Sequence, residues 1–184
     1  MSISEAIRKR ISVRAYLDKP VSDDDLGKII EAGRWAPNAG PFQISVIRNA
    51  ALRKEINDRT YNFMQNSGIE FLVQRSSLPG YQPLYGAPVL MLISAPSDAP
   101  IGMINTAVAA ENMILEATER GFGTCLLLSP TRILNDANQR DLARSAGVPD
   151  NYTVQCAVIV GYAAAENKFS SGERIPKGAV NYID

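Results

Sequence analysis

Apolar residues recur along this chain at two spacings, and the switches between them divide it into helices and strands. Ile3, Ala6 and Ile7 give a short helical face, with Ser2 and Glu5 at capping-box spacing before it and Arg8, Lys9 and Arg10 at the end where the helix dipole favours cations. In ISVRAYLDKP, Ile11, Val13 and Ala15 alternate with Ser12, Arg14 and Tyr16, which predicts an extended run with Ser12 and Arg14 on one face until Pro20 breaks it. Helical spacing returns at Leu26, Ile29, Ile30 and Gly33 behind the N-cap candidate Ser22, and Pro37 ends that helix. A small-residue loop, APNAGP, then leads into an apolar strand at about 42–48.

Helices are expected over 49–59 and 61–74, and LPGYQPLYGAP interrupts regular structure, with Tyr81, Leu84 and Tyr85 either anchoring a long loop or lining a substrate mouth. PVLMLISA is apolar throughout, as a strand buried on both faces should be. The next helix, from about 100 to Arg120, has Met103, Ala107, Ala110, Ile114 and Ala117 on one side and Ile104, Val108, Met113 and Leu115 on the other. Such a helix needs cover on more than one side, from a partner subunit or from other elements of its own chain. GFGTCLLLSP supplies another strand, Ser129 and Pro130 suit the N-cap and first turn of a helix over 131–146, and TVQCAVIVGY supplies the last strand. Four sheet-forming stretches separated by helices predict one α+β domain over 1–184, with about 162–184 as an irregular C-terminal arm.

Charge and composition narrow the function. Lys plus Arg and Asp plus Glu both total 19, so the net charge is zero, which disfavours a nucleic acid or an anionic membrane as main partner and permits self-association. The absence of histidine removes Ser-His-acid triads, Cys-His pairs and His-ligated metals. Cys125 and Cys156 lie in apolar stretches and read as buried thiols of a reducing compartment. With neither a signal-peptide pattern nor a bilayer-length apolar run, the expected location is the cytoplasm. No metal site is expected, and a bound cofactor carrying its own reactivity suits these restrictions.

Arg10, Ser12 and Arg14, with Arg174 and Lys177 far along the chain, have the donors to enclose a phosphate; the same residues suit a solvated basic face, and spacing does not choose. Asn38 and Gln43 either address the edge of a planar ligand or stabilise a turn and sit on a strand surface. Trp35 has a core or subunit-interface role as its simplest reading. Neither GxGxxG nor GxxxxGK[ST] occurs.

RISVRAYLDKPV, EAGRWAPNAGPFQISVI, YGAPVLMLIS, AAENMILEATERGFGTCLLL, VIVGY and GERIP, in that order, resemble the nitroreductase family of small FMN-dependent oxidoreductases over nearly the whole chain. The resemblance implies a nitroreductase-like fold: a central mixed, mostly antiparallel sheet flanked by helices, in an intertwined homodimer whose C-terminal arms pack on the partner and whose two FMN sites lie at the subunit interface. It implies that Arg10, Ser12 and Arg174 hold the FMN phosphate and ribityl chain and that Arg14 joins them. Pro37, Asn38 and Ala39 would reach the flavin from the partner, Gln43 would match an amide position of the same motif, and Leu127, Leu128 and Ser129 would pass the flavin ring. The implied reaction is ping-pong: NADH or NADPH gives hydride to FMN, and a small planar acceptor such as a nitroaromatic or quinone takes the electrons, with no catalytic side chain. Flavin or enone reduction, another reaction on the same scaffold, and noncatalytic flavin binding are the alternatives. The chain departs from the family pattern at Ile11, Asn38, Pro41, Ile44-Ser45 and Ser129.

Overall fold

The structure is a computed structural model that describes residues 1–167, 169 and 175–183. Its centre is a four-stranded sheet: β1 (Gln43–Ile47), β2 (Val89–Pro96), β3 (Gly123–Leu127) and β4 (Tyr152–Gly161), in the order β1-β2-β4-β3 with every neighbouring pair antiparallel. A parallel bridge between Ser12 and Thr124 lies outside the named strands. The run read as doubly buried, Val89 to Ala95, is inaccessible on both faces of β2. Leu90, Leu92 and Ile159 face one core layer, and Met91, Ile93 and Val158 face the other.

One layer is covered by α2 (Asp23–Arg34) and α5 (Gly102–Glu119). These helices approach closely because Gly33 has no side chain: a Cβ there would lie 2.6 Å from Met113 Cγ. Ser22 caps α2 by accepting from the Asp25 N–H at 3.1 Å, and Arg120 at the end of α5 reaches both Glu116 and Asp25, tying the two helices at one end. The short α1 (Ile3–Lys9) has the capping box expected of Ser2 and Glu5. The opposite layer is covered by α3 (Ala50–Asn66), α6 (Ser129–Leu134) and α7 (Arg140–Ser145), while α4 (Glu70–Ser76) follows α3 and packs against it.

Two helix boundaries differ from the periodicity reading. Thr60 is buried and returns its hydroxyl to the Ile56 carbonyl at 2.7 Å, so α3 continues to Asn66 and the chain turns instead at Gly68, where φ is +67°. The helix expected over 131–146 is two short helices joined by a 3-10 turn, because Asn135 leaves the helix to pair with β4. Its amide donates to Val154 O and accepts from Val154 N–H, each at 2.9 Å, and Asp136 then caps the turn. Ser129 accordingly begins α6, with Leu128 at the cap position.

Candidate functional site

The segment after α1 is drawn against β3. Beyond the Ser12–Thr124 bridge, Val13 donates its N–H to Thr124 O at 2.8 Å, and farther on Tyr16 pairs with Ala163. Asn167 closes the other side with one amide: its oxygen accepts the Arg14 N–H at 2.9 Å and its nitrogen donates to Ser12 O at 3.4 Å. Residues 12–14 are therefore extended, as the alternation predicts, but they are held by a bridge on one side and a side chain on the other, without forming a strand.

Above this segment, two cations share one neutral acceptor. Arg14 Nη1 donates to the Phe169 carbonyl at 2.9 Å, and Arg75 Nη2, from α4, donates to the same oxygen at 3.2 Å. Arg75 also donates to Tyr85 Oη at 3.2 Å and lies 5.5 Å and 5.6 Å from the ring centres of Tyr81 and Phe169. Among the described residues neither guanidinium has a carboxylate partner. Tyr81 and Leu84 are buried, so the loop before β2 is anchored by them, and Tyr85 is held at φ 51°, a left-handed conformation that few residues of its size adopt.

Two ionisable groups lie beneath the segment. Burial pushes the Cys125 thiol up, against the opposing pull of Arg14, Ser12 and Arg10 beside it, and burial raises the Tyr16 phenol well above its usual range. Both are protonated at neutral pH, so neither supplies a nucleophile or base. Cys156, in the other core layer, is pushed up to about 12 by burial alone.

The remaining expected residues fall in two places. Leu127, Leu128 and Ser129 leave the far end of the strand that carries Ser12 and Val13, roughly 10 Å along it from Thr124 at the ordinary rise per residue. Leu127 is buried and Leu128 is 62% exposed. The Pro37–Gln43 loop, in contrast, makes its contacts elsewhere within this subunit. Asn38 Nδ2 donates to Ala36 O at 3.0 Å, Ala39 N–H reaches Asn105 Oδ1 at 3.4 Å, and Gln43 Nε2 donates to Ser45 Oγ and to Gly147 O. Arg174 lies outside the described residues. Trp35 does not enter the core; it is 79% exposed, with its ring N–H 3.5 Å from Glu31 Oε1.

Arg75, Asn167 and Phe169 had no signal in the sequence, whereas Tyr85 was visible there as a loop anchor or a mouth residue. In EFLVQRS, Arg75 has the spacing of a wet helical face, and only the fold brings α4 over residues 12–14. Among the described residues no group of three or more His, Cys, Asp or Glu could hold a metal, and no helix is long and apolar enough to cross a membrane.

The nitroreductase family model matches residues 7–162. A nitroreductase with bound FMN from Bacteroides fragilis is 29% identical, with a TM-score of 0.87 and all of both chains covered. A second nitroreductase with bound FMN, from Desulfitobacterium hafniense, shares the fold at a TM-score of 0.88 and 19% identity, again over all of both chains. A protein of Archaeoglobus fulgidus provisionally named NADH dehydrogenase/NAD(P)H nitroreductase is 28% identical over 170 residues, 89% of this chain and 86% of the relative. The match runs from the last turns of α1 through the whole sheet and takes in the Arg10–Arg14 segment, Arg75 and the end of β3, and the chain belongs to the nitroreductase family.

Proposed function

We propose that this protein is an FMN-dependent oxidoreductase that transfers electrons from NADH or NADPH to small planar organic acceptors such as nitroaromatics or quinones, as a homodimer with FMN at the subunit interface. The observation that carries the reading is the convergence of Arg14, two residues beyond Ser12, and Arg75 on one uncharged carbonyl oxygen. Among the described residues no carboxylate meets either guanidinium, and a phosphate would offer them several anionic oxygens in a geometry that guanidinium forks match.

The donor set fits FMN in extent as well as charge. The cationic end and the Leu127–Ser129 turn stand at opposite ends of β3, a separation of the order that a phosphate, a five-carbon chain and a tricyclic ring would span. FMN bound there would supply redox chemistry between a nicotinamide donor and a small acceptor. The chain's own work is positional: Arg10, Ser12, Arg14 and Arg75 hold the anionic end, Arg174 adds a further cation, and backbone N–H groups at Leu127–Ser129 face the ring.

The homodimer supplies what one subunit lacks. Asn38, Ala39 and Gln43, which bond within their own chain, and Pro37 beside them would reach the cofactor of the second copy. Met103 and Ile104 on α5 are 69% and 63% exposed, and together with Trp35 they give an apolar face suited to a partner. Ile175, Val180, Tyr182 and Ile183 in the C-terminal arm are also exposed, which suits an arm of about 162–184 packing on that partner.

The test is a visible spectrum of the purified protein with FMN, followed anaerobically after addition of NADH or NADPH. Bound flavin that bleaches supports the reading. Bound flavin that neither nicotinamide reduces would leave a binding protein, and no binding would remove the proposal.

A further inference from the structure

Resting on the FMN reading, we infer that Gly123 is a positioning residue of the anion cradle: by lacking a side chain it sets the depth at which the Arg10–Arg14 segment lies on β3.

The segment is not itself a strand of the sheet: β3 lies on one side of it and the Asn167 side chain on the other. It is attached to the sheet at the Ser12–Thr124 bridge and by the Val13 N–H on Thr124 O, and the apolar contact beside those bonds is Val13 on Gly123. A Cβ on Gly123 would lie 2.9 Å from each of Val13 Cβ, Cγ1 and Cγ2, closer than carbon atoms pack, and all three atoms belong to a short branched side chain that has no far end to swing away. Gly123 does not have a positive φ among the glycines that do, so the requirement is one of space and not of backbone conformation. Val13 is itself buried, so displacement of its side chain must be taken up by its backbone.

The consequence reaches the cradle directly, because Ser12 and Arg14 are the residues on either side of Val13. Lifting Val13 by a few tenths of an ångström moves both, stretches the 2.8 Å bond to Thr124, and turns Arg14 away from the oxygen it shares with Arg75. Two residues on from Gly123, the Cys125 thiol lies beside the Ser12 and Arg14 side chains, so the same strand supports the segment from below at two successive inward positions. Charge-assisted bonds weaken steeply with such misalignment.

The discriminating measurement is the ratio of affinities for FMN and riboflavin, which differ by the phosphate, read by quenching of flavin fluorescence on titration with protein. A role confined to stability would lower both affinities together or lower the thermal midpoint alone. In the parent chain FMN should bind about tenfold to hundredfold more tightly than riboflavin, the range for losing charge-assisted hydrogen bonds. Gly123→Ala should lose most of that preference, and Gly123→Ala with Val13→Gly, which exchanges the two side chains' space, should recover it. Should Gly123→Ala not fold, Val13→Ala removes the methyl groups that rest on the glycine and should reduce the ratio by a smaller factor. An undiminished ratio in folded Gly123→Ala, no recovery in the double variant, or an unchanged ratio in Val13→Ala where the first variant is lost, each overturns the inference. A parent that binds neither flavin, or both equally, removes the phosphate reading beneath it, and that result is separable because it appears before any substitution is made.

Discussion

Two arginine clusters among the described residues are solved in opposite ways. Around the entry to β4, Arg144 bonds both oxygens of Asp150, at 2.8 Å and 3.2 Å, and Arg140 adds a bond at 3.2 Å to the same carboxylate, so two cations meet an anion within the chain. At the segment beside β3, Arg14 and Arg75 meet at a carbonyl, and neither has a carboxylate partner among the described residues. The first cluster is complete as it stands. The second concentrates like charge against a neutral acceptor, an arrangement that costs stability unless an anion from outside the fold completes it. A cation's partner, more than its presence, separates a structural arginine from a ligand-binding one.

The strongest way to break that contrast is to remove Arg14. Arg14→Ala should weaken FMN binding by about 2–3 kcal/mol, the range for a hydrogen bond to a charged group, while the far-ultraviolet circular dichroism of the protein stays unchanged. An FMN titration that matches the parent would place Arg14 with the structural cations. Arg75→Ala should have a smaller effect, about 1–2 kcal/mol, since Arg75 keeps contacts with Tyr85 and the neighbouring rings that do not involve the anion. If both guanidiniums grip one ligand, the double variant should be less impaired than the two losses summed, by about 0.5 kcal/mol or more. Strict additivity would mean that they act on separate groups.

How much of this could be read along the chain follows the same division. β2 was legible because a continuous apolar run has few other solutions, and α2 because its cap, its spacing and Pro37 agree. Ser12 and Arg14 were visible as a pair from their alternation and from the family resemblance. Arg75 was not, because a basic residue at helical spacing has the same local pattern whether it faces water or a ligand, and the difference lies in a carbonyl 94 residues away. The split at Asn135 was hidden for a similar reason: an asparagine that abandons its helix to pair with Val154 answers to a strand 19 residues later. Trp35, read as a core or subunit-interface residue, lies outside the core of its own subunit, a choice that no local pattern in the sequence could make. Local preference sets elements, whereas side chains that bridge elements are fixed only by the assembled fold.

A control far from either cluster sharpens the scale. Ser22→Ala removes the acceptor for the Asp25 N–H at the start of α2 and should cost about 1 kcal/mol in a urea or thermal melt, with FMN affinity unaltered. A change in FMN affinity would show that α2 transmits strain to the cradle through α5, and the distinction between structural and binding residues would need redrawing.

The smallest effect is expected at the completed cluster, and its pH dependence has a definite sign. Hydrogen bonds from Arg144, with further help from Arg140, hold the Asp150 carboxyl below its ordinary value of 3.8. A carboxyl whose folded value is depressed contributes stability at pH values above its unfolded value and loses it as pH falls through the folded one. Asp150→Asn should therefore melt slightly below the parent at neutral pH, and the two melting curves should draw together as the solution is acidified below about pH 4. The gap should also narrow in concentrated salt, because the pair is exposed and screened. FMN affinity should not move at all. A variant at Asp150 that released FMN as readily as one at Arg14 would show that both clusters belong to one electrostatic system, and the carboxylate that neutralises one would then be setting the potential of the other.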